Sequence, residues 1–203
     1  MNELITAAGA ALEARGFQVL YAESREQAAQ MILDLLKDAK EIACGGSVTI
    51  RDLGIAEAKK QEGAHIWWHW MAETDNRTIF LRSLDADVYL ASANAITVSG
   101  QIVNIDATGN RVGAMAYGPK QVILAVGRNK LVRGGVPQAI ARIKREACPS
   151  NARRLNRDTW CAAHNTCNPA ACANTMCRIT EVLDHPPVSH PFTIVLIDED
   201  MGY

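Results

Sequence analysis

Short apolar runs rich in valine and isoleucine recur along this chain, and segments of helical period separate them. Glu41–Cys44, Ile102–Asp106 and Phe192–Ile197 read as strands, with further strands expected over 17–21, 64–69, 87–91 and 121–126. Between them, Leu4, Ile5, Ala8 and Leu12 share one helical face, with Gly16 as a stop. Ser24 with Gln27 has the form of a capping box ahead of the stripe Ala28, Met31, Ile32, Leu35 and Leu36. Helices are expected over 48–60 and 72–83, and another opens at Pro137 and carries Ile140 and Ile143. Cys148-Pro149 reads as a helix end, and 106–110 as a turn. This alternation predicts an α/β fold with a largely parallel sheet. Ligands of such sheets bind at the carboxyl ends of the strands, which points to the loops after Cys44, Asp106 and Val126.

The 203 residues suffice for one domain, 1–203, with a sizeable core. At 48% hydrophobic and 21% charged, the composition is that of an ordinary globular chain. A formal net charge of −1 with no basic run argues against a nucleic-acid partner, which is held by neutralising phosphates. No apolar stretch approaches the ~18 residues of a membrane span. Met1-Asn2-Glu3-Leu4 lacks the basic start of a signal peptide, so a cytoplasmic location is expected. A homodimer is the base-rate expectation for such a domain.

Four of the six cysteines, Cys161, Cys167, Cys172 and Cys177, form a C-x5-C-x4-C-x4-C run. Four thiolates this close can hold a tetrahedral zinc ion or an iron–sulfur cluster. The paired C-x2-C knuckles of structural zinc sites are missing. The wider spacings, with Pro169 between, suit a loop wrapped round a bulky four-iron, four-sulfur (4Fe-4S) cluster. Zinc stays open as the alternative, and so do free or disulfide-bonded thiols. Cys148 is a possible extra ligand, and His164 could replace one thiolate. The segment expected to bind metal is 148–178.

Cys44-Gly45-Gly46-Ser47-Val48-Thr49 follows a strand and precedes a helix, an arrangement that lets backbone N–H groups meet an anion. The same residues also make a tight turn with Ser47 as N-cap. Asn104, Asp106, Asn110 and Arg111 offer a donor–acceptor set at a strand end, where Arg111 can clamp a carboxylate or phosphate. Gly118-Pro119-Lys120 and Gly127-Arg128-Asn129-Lys130 repeat a glycine followed by cations. Together these loops suggest a pocket for a small anionic metabolite. Trp67, Trp68, His69 and Trp70 read as packing residues, Glu73 as a helix-start charge, and His185 and His190 as loop residues.

The chain resembles the lactate-utilization (LUD) domain family. The resemblance rests on Gly45-Gly46-Ser47-Val48-Thr49 with Asp52-Leu53-Gly54, and above all on Gln101-Ile102-Val103-Asn104-Ile105-Asp106-Ala107-Thr108-Gly109-Asn110-Arg111-Val112. Tyr117-Gly118-Pro119-Lys120, Val126-Gly127-Arg128-Asn129-Lys130, Asn151-Ala152-Arg153-Arg154-Leu155, the cysteine segment and Gly202-Tyr203 extend it over nearly the whole chain. It implies a fold similar to the NagB/RpiA/CoA-transferase and formyltetrahydrofolate cyclo-ligase group. In that group the early glycine loop often contacts phosphate or carboxylate. It also implies four cysteines in the C-terminal segment, from which Cys172 departs by two positions. The implied role is that of an iron–sulfur accessory or redox subunit in oxidation of a small hydroxy acid such as lactate, beside iron–sulfur or flavin partner subunits.

Two other functions are expected in competition. One is a stand-alone enzyme acting on a phosphorylated, folate or CoA metabolite. Gly45, Gly46, Ser47, Thr49, Asn104, Asn110, Gly127 and Arg128 would bind it, with Asp106 as general base and Lys130 or Arg111 as electrostatic stabiliser. The other is a zinc-stabilised binding module without chemistry.

Overall fold

A computed structural model describes residues 2–71 and 74–203. Ten strands are defined there: β1 (Gln18–Ala22), β2 (Glu41–Cys44), β3 (His65–Trp67), β4 (Val88–Ala91), β5 (Ala95–Thr97), β6 (Ile102–Asp106), β7 (Val122–Gly127), β8 (Leu131–Val132), β9 (Ile179–Leu183) and β10 (Phe192–Ile197). The helices are α1 (Glu3–Ala14), α2 (Arg25–Leu35), α3 (Val48–Asp52), α4 (Ile55–Gln61), α5 (Asn76–Ser83), α6 (Asn110–Ala116), α7 (Val136–Arg142), α8 (Cys148–Arg154) and α9 (Trp160–His164).

Six strands form a fully parallel sheet in the order β1-β10-β7-β4-β2-β3. The expected α/β fold is what forms, and both faces of this sheet are covered. Val122, Leu124 and Val126 of β7 face a layer built on α1, α6 and part of the second sheet. Ile123 and Ala125 face the opposite layer, where Ala28, Ile32, Ile50 and Ile55 of α2, α3 and α4 pack. Burial on both faces is why these strands read as continuous apolar runs rather than alternating ones.

The second sheet, β8-β5-β6-β9, is mixed. β6 runs antiparallel to β5 and β9, while β5 and β8 are parallel. Ile96 and Ile102 face the first sheet. Ala95, Val103 and Ile105 face Ala139, Ile143 and Ala147 of the α7 region. Among the described residues no helix is long and apolar enough to cross a membrane.

Several expectations need correction. The helix over 48–60 is two helices, broken at Gly54, whose φ of +67° is left-handed. Cys148-Pro149 is not a helix end: a π turn, Ile143–Ala147, carries α7 straight into α8. Pro149 lacks an N–H, and at the start of α8 that missing donor is accommodated. The turn after Asp106 winds at once into α6, whose N-cap is Gly109. Asp106 ends β6, so it belongs to the second sheet rather than the parallel one. Leu35 is exposed while the rest of its stripe is at least partly buried. α5 begins at Asn76 behind the N-cap Asp75; the expected start of that helix and Glu73 lie outside the described residues.

β7 is the strand on which both faces depend. Leu124→Ala should cost about 2–5 kcal/mol of unfolding free energy, because the cavity it leaves is lined by strands that cannot collapse. Val188→Ala, at a fully exposed position, should change it by less than about 0.5 kcal/mol. Urea denaturation of both variants beside the parent measures the difference.

Candidate functional site

The strand order of the parallel sheet reverses between β2 and β4: β3 lies on one side of β2 and β4 on the other. Such a reversal opens a crevice at the carboxyl ends of the two strands. The glycine loop 45–47 leaves β2 there, and Ser92 leaves β4. Lys130 reaches the same place from a one-turn 3-10 helix, Arg128–Lys130, after β7.

Lys130 is only 3% exposed. Its Nζ donates to Thr49 Oγ1 and to Ser92 Oγ, each at 2.8 Å. No carboxylate among the described residues neutralises it. Burial, with the charges of Arg142 and Arg111 nearby, lowers it to a pKa of about 7. The Tyr89 hydroxyl is buried without a hydrogen-bond partner, 2.9 Å from where a Cβ on Gly45 would sit. His69 Nδ1 is a second buried orphan, and that ring packs against Gly46. Buried polar groups without partners are uncommon, and they gather here at the glycine loop.

Behind the crevice lies a network centred on Arg111 and Asn94. Arg111 Nε and Nη2 donate to Asp106 Oδ1 at 2.9 and 2.6 Å, and Val112 N–H donates to Asp106 Oδ2. Arg111 also donates to Asn94 Oδ1, to Ile105 O and, through Nη1, to Ser92 O. Asn94 N–H donates to Asn104 Oδ1, and Asn104 Nδ2 donates to Glu181 Oε2 at 3.1 Å. Burial raises the Glu181 carboxyl to a pKa of about 7. Arg142 Nη1 closes the network on Asn94 O at 2.8 Å.

The residues picked out from sequence thus divide. Lys130, Thr49, Gly45, Gly46 and Ser47 meet at the crevice, and Asn104, Asp106 and Arg111 form the network behind it. Gly45 N–H is already bonded to Leu90 O, and Ser47 Oγ caps α3 by accepting from Ile50 N–H. Arg128 instead grips Asp198 and Asp200 at the surface. Gly127 lets that tail close, since a Cβ there would stand 2.6 Å from Met201 N. Asn110 makes no hydrogen bond to the network. Gly118-Pro119-Lys120 precedes β7 and so lies at the opposite end of the sheet, with Lys120 on Asp87. Ser92, Asn94, Arg142 and Glu181 were not picked out. The first two follow a recognisable buried strand, so the strand-end rule could have found them. Nothing local marks the others.

The cysteine segment forms a separate pocket of about 180 Å3. Cys161, Cys167, Cys172 and Cys177 line it together with Cys148, Lys144 and Trp160. Cys148 Sγ lies 3.4 Å from Cys177 Sγ, because the continuous α7–α8 rod delivers Cys148 to the pocket wall. That hydrogen bond, aided by Lys144, holds the Cys177 thiol below the usual range. The six cysteines are unbridged. Among the described residues no group of three His, Cys, Asp or Glu side chains is placed to hold a single metal ion. His164 stacks on Trp160, and His190 is buried against Met115 O. Cys44 is fully buried at the end of β2, which pushes its thiol up and out of reactive range.

Lys130 makes the crevice visible in a stability measurement. The unfolded chain keeps this proton up to a pKa of 10.5, whereas the folded chain gives it up near 7. Between those values the folded state binds fewer protons, so stability rises with pH, by at most about 1.4 kcal/mol per unit. Urea denaturation from pH 7 to 10 should show that rise, and Lys130→Met should remove it. Equal slopes in parent and variant would contradict the buried, unpaired ammonium.

The model of the LUD domain matches residues 5–197. A search of curated proteins gives no match. Among solved structures, this chain is similar to a DUF162 family protein from Deinococcus radiodurans, with a TM-score of 0.57 and 13% identity over 96% of each chain. At that identity the likeness speaks for the fold alone. The family model spans both sheets, the crevice and the cysteine pocket, and on that match the chain belongs to the LUD domain family.

Proposed function

We propose that this chain holds a four-iron, four-sulfur cluster in its cysteine pocket and serves as an accessory or redox subunit in oxidation of a small hydroxy acid such as lactate. The observation that carries this is the convergence of five of the six cysteines on one pocket. Thiolates are soft ligands suited to iron–sulfur clusters, and here they line one shared space. The wide spacing of these cysteines along the chain suits a bulky cluster better than a single zinc ion. Cys161, Cys167, Cys172 and Cys177 are the expected ligands, with Cys148 as a fifth thiol in reach. When bound, such a cluster supplies one-electron transfer. The chain's own residues set the surroundings: Lys144 places a positive charge on the pocket wall, and Trp160 shields one side. Cys167 is exposed, so the pocket lies near the surface, where a partner subunit can exchange electrons.

A second reading rests on Lys130. A buried ammonium without a counter-ion, beside two hydroxyls and the orphaned Tyr89 hydroxyl, fits a small carboxylate or phosphate in the crevice. Asp106 has its carboxylate engaged by three donors from Arg111 and Val112, which suits holding Arg111 in place better than taking a proton.

Protein purified without oxygen should be brown, with about four iron and four sulfide per chain. Cys161→Ser and Cys177→Ser should each lose most of that iron and melt at lower temperature, since metal-binding free energy becomes folding free energy. Cys44→Ser, outside the pocket, should keep it. One zinc and no colour, or protein without either metal, would overturn the cluster.

A further inference from the structure

A second cleft, of about 380 Å3, is lined in part by Asn129 and Leu131, the neighbours of Lys130 in the chain. Asn129, Leu131 and Val132 form one wall, and Gln138, Ala141, Arg142, Arg145 and Glu146 of the α7 region form the other, with Arg133 at the edge. None of its three arginines stood out in the sequence, and neither reading above uses the cleft.

Three guanidiniums face one carboxylate there, in a chain whose net charge is −1. Arg145 holds Glu146 at 2.6 Å. Arg133 has no ion-pair partner among the described residues. Arg142 is the built part of the site: its side chain is only 6% exposed, and its Nη1 is fixed by Asn94 O. Its Nε is buried with no hydrogen-bond partner, although Glu146 Oε2 lies 3.2 Å away without hydrogen-bond geometry. Glu146 balances part of the Arg142 charge, but the Nε donor stays without a hydrogen bond, and an anionic group in the cleft would compete for it. Guanidiniums recognise phosphate and carboxylate through paired N–H donors. The volume falls at the low end of small-molecule sites, and Leu131, Val132 and Ala141 offer an apolar face to a short carbon skeleton.

We infer that this cleft binds a small organic dianion, a phosphate monoester or a dicarboxylate, at a site separate from the Lys130 crevice and from the cysteine pocket. Arg142 orients one anionic group from the inner wall, and Arg133 and Arg145 neutralise the rest at the mouth.

The test is titration calorimetry on the full, metal-loaded chain with two probes, glycerol phosphate and succinate, which distinguish the phosphate and carboxylate sources. One of them should bind saturably, at about one per chain, and raise the melting temperature. Arg133→Ala and Arg145→Ala are surface changes that should leave folding intact, and each should weaken binding about tenfold. Arg142→Lys, which keeps the charge and loses the fork, should weaken it at least as much. Arg77→Ala, at an exposed position of α5, should leave it unchanged. Binding by neither probe would overturn the inference. So would binding that survives the Arg133 and Arg145 changes but is lost in Lys130→Met, which would move the anion to the crevice. Iron content, read on the same samples, reports separately on the cluster.

Discussion

The guanidinium of Arg111 ties the two sheets together. It sits at the start of α6, with 13% of its side chain exposed, and faces an Asp106 carboxylate only 8% exposed. From there it reaches Ser92 O at the end of β4, Asn94 Oδ1 in the link to β5, and Ile105 O in β6. One side chain therefore fixes the exit of a parallel-sheet strand against the second sheet. A buried pair of this kind gains little over an apolar pair of equal volume, but removing one partner strands a charge at a cost of about 3–5 kcal/mol. Every donor of the guanidinium that is used here finds an oxygen, which is the condition under which such a pair is tolerated. The clamp also borders the crevice, because Ser92, whose carbonyl accepts from Arg111, accepts from Lys130 through its hydroxyl.

The parallel sheet was legible in the sequence because its strands are buried on both faces. Strands β2 and β10 begin and end where their apolar runs do, and so does β6 of the second sheet. The missed strands are short or half exposed. β5 has three residues and β8 two, while β9 carries Thr180 and Glu181 among its five. Their pairing comes from the second sheet, not from any local pattern. The α7–α8 rod was missed for a different reason. Proline normally signals a helix end, but here a π turn just before it carries the helix on.

The candidate site was legible where a side chain is unusual for its neighbourhood and illegible where it is ordinary. Glycines, a lysine and an arginine at strand ends stand out in a one-dimensional reading. Arg142 does not: it sits in a helix among Arg145, Lys144 and Glu146, which looks like a solvated face. Its burial is set by Asn94 O, nearly fifty residues earlier in the chain, and sequence spacing carries no trace of that contact. Glu181 is similar, since its neighbour Asn104 comes from the antiparallel register of β6 with β9.

That register also joins the cysteine pocket to the network. Cys177 is followed by Arg178, whose N–H donates to Asp106 O, and then by β9, in which Ile179 faces Asp106 and Glu181 faces Asn104. β9 is an edge strand with its first residues exposed, so few contacts hold it from outside. Its amino end is fixed by the cysteine segment and its face by β6. On the reading proposed above, filling the cysteine pocket would order Cys177 and with it the strand that presents Glu181 to Asn104. A second link is the α7–α8 rod, which carries Arg142 at the end of α7 and Cys148 at the start of α8, on either side of the π turn. Two continuous elements, one strand and one helical rod, thus connect the thiols to the guanidinium and carboxylate groups of the network behind the crevice.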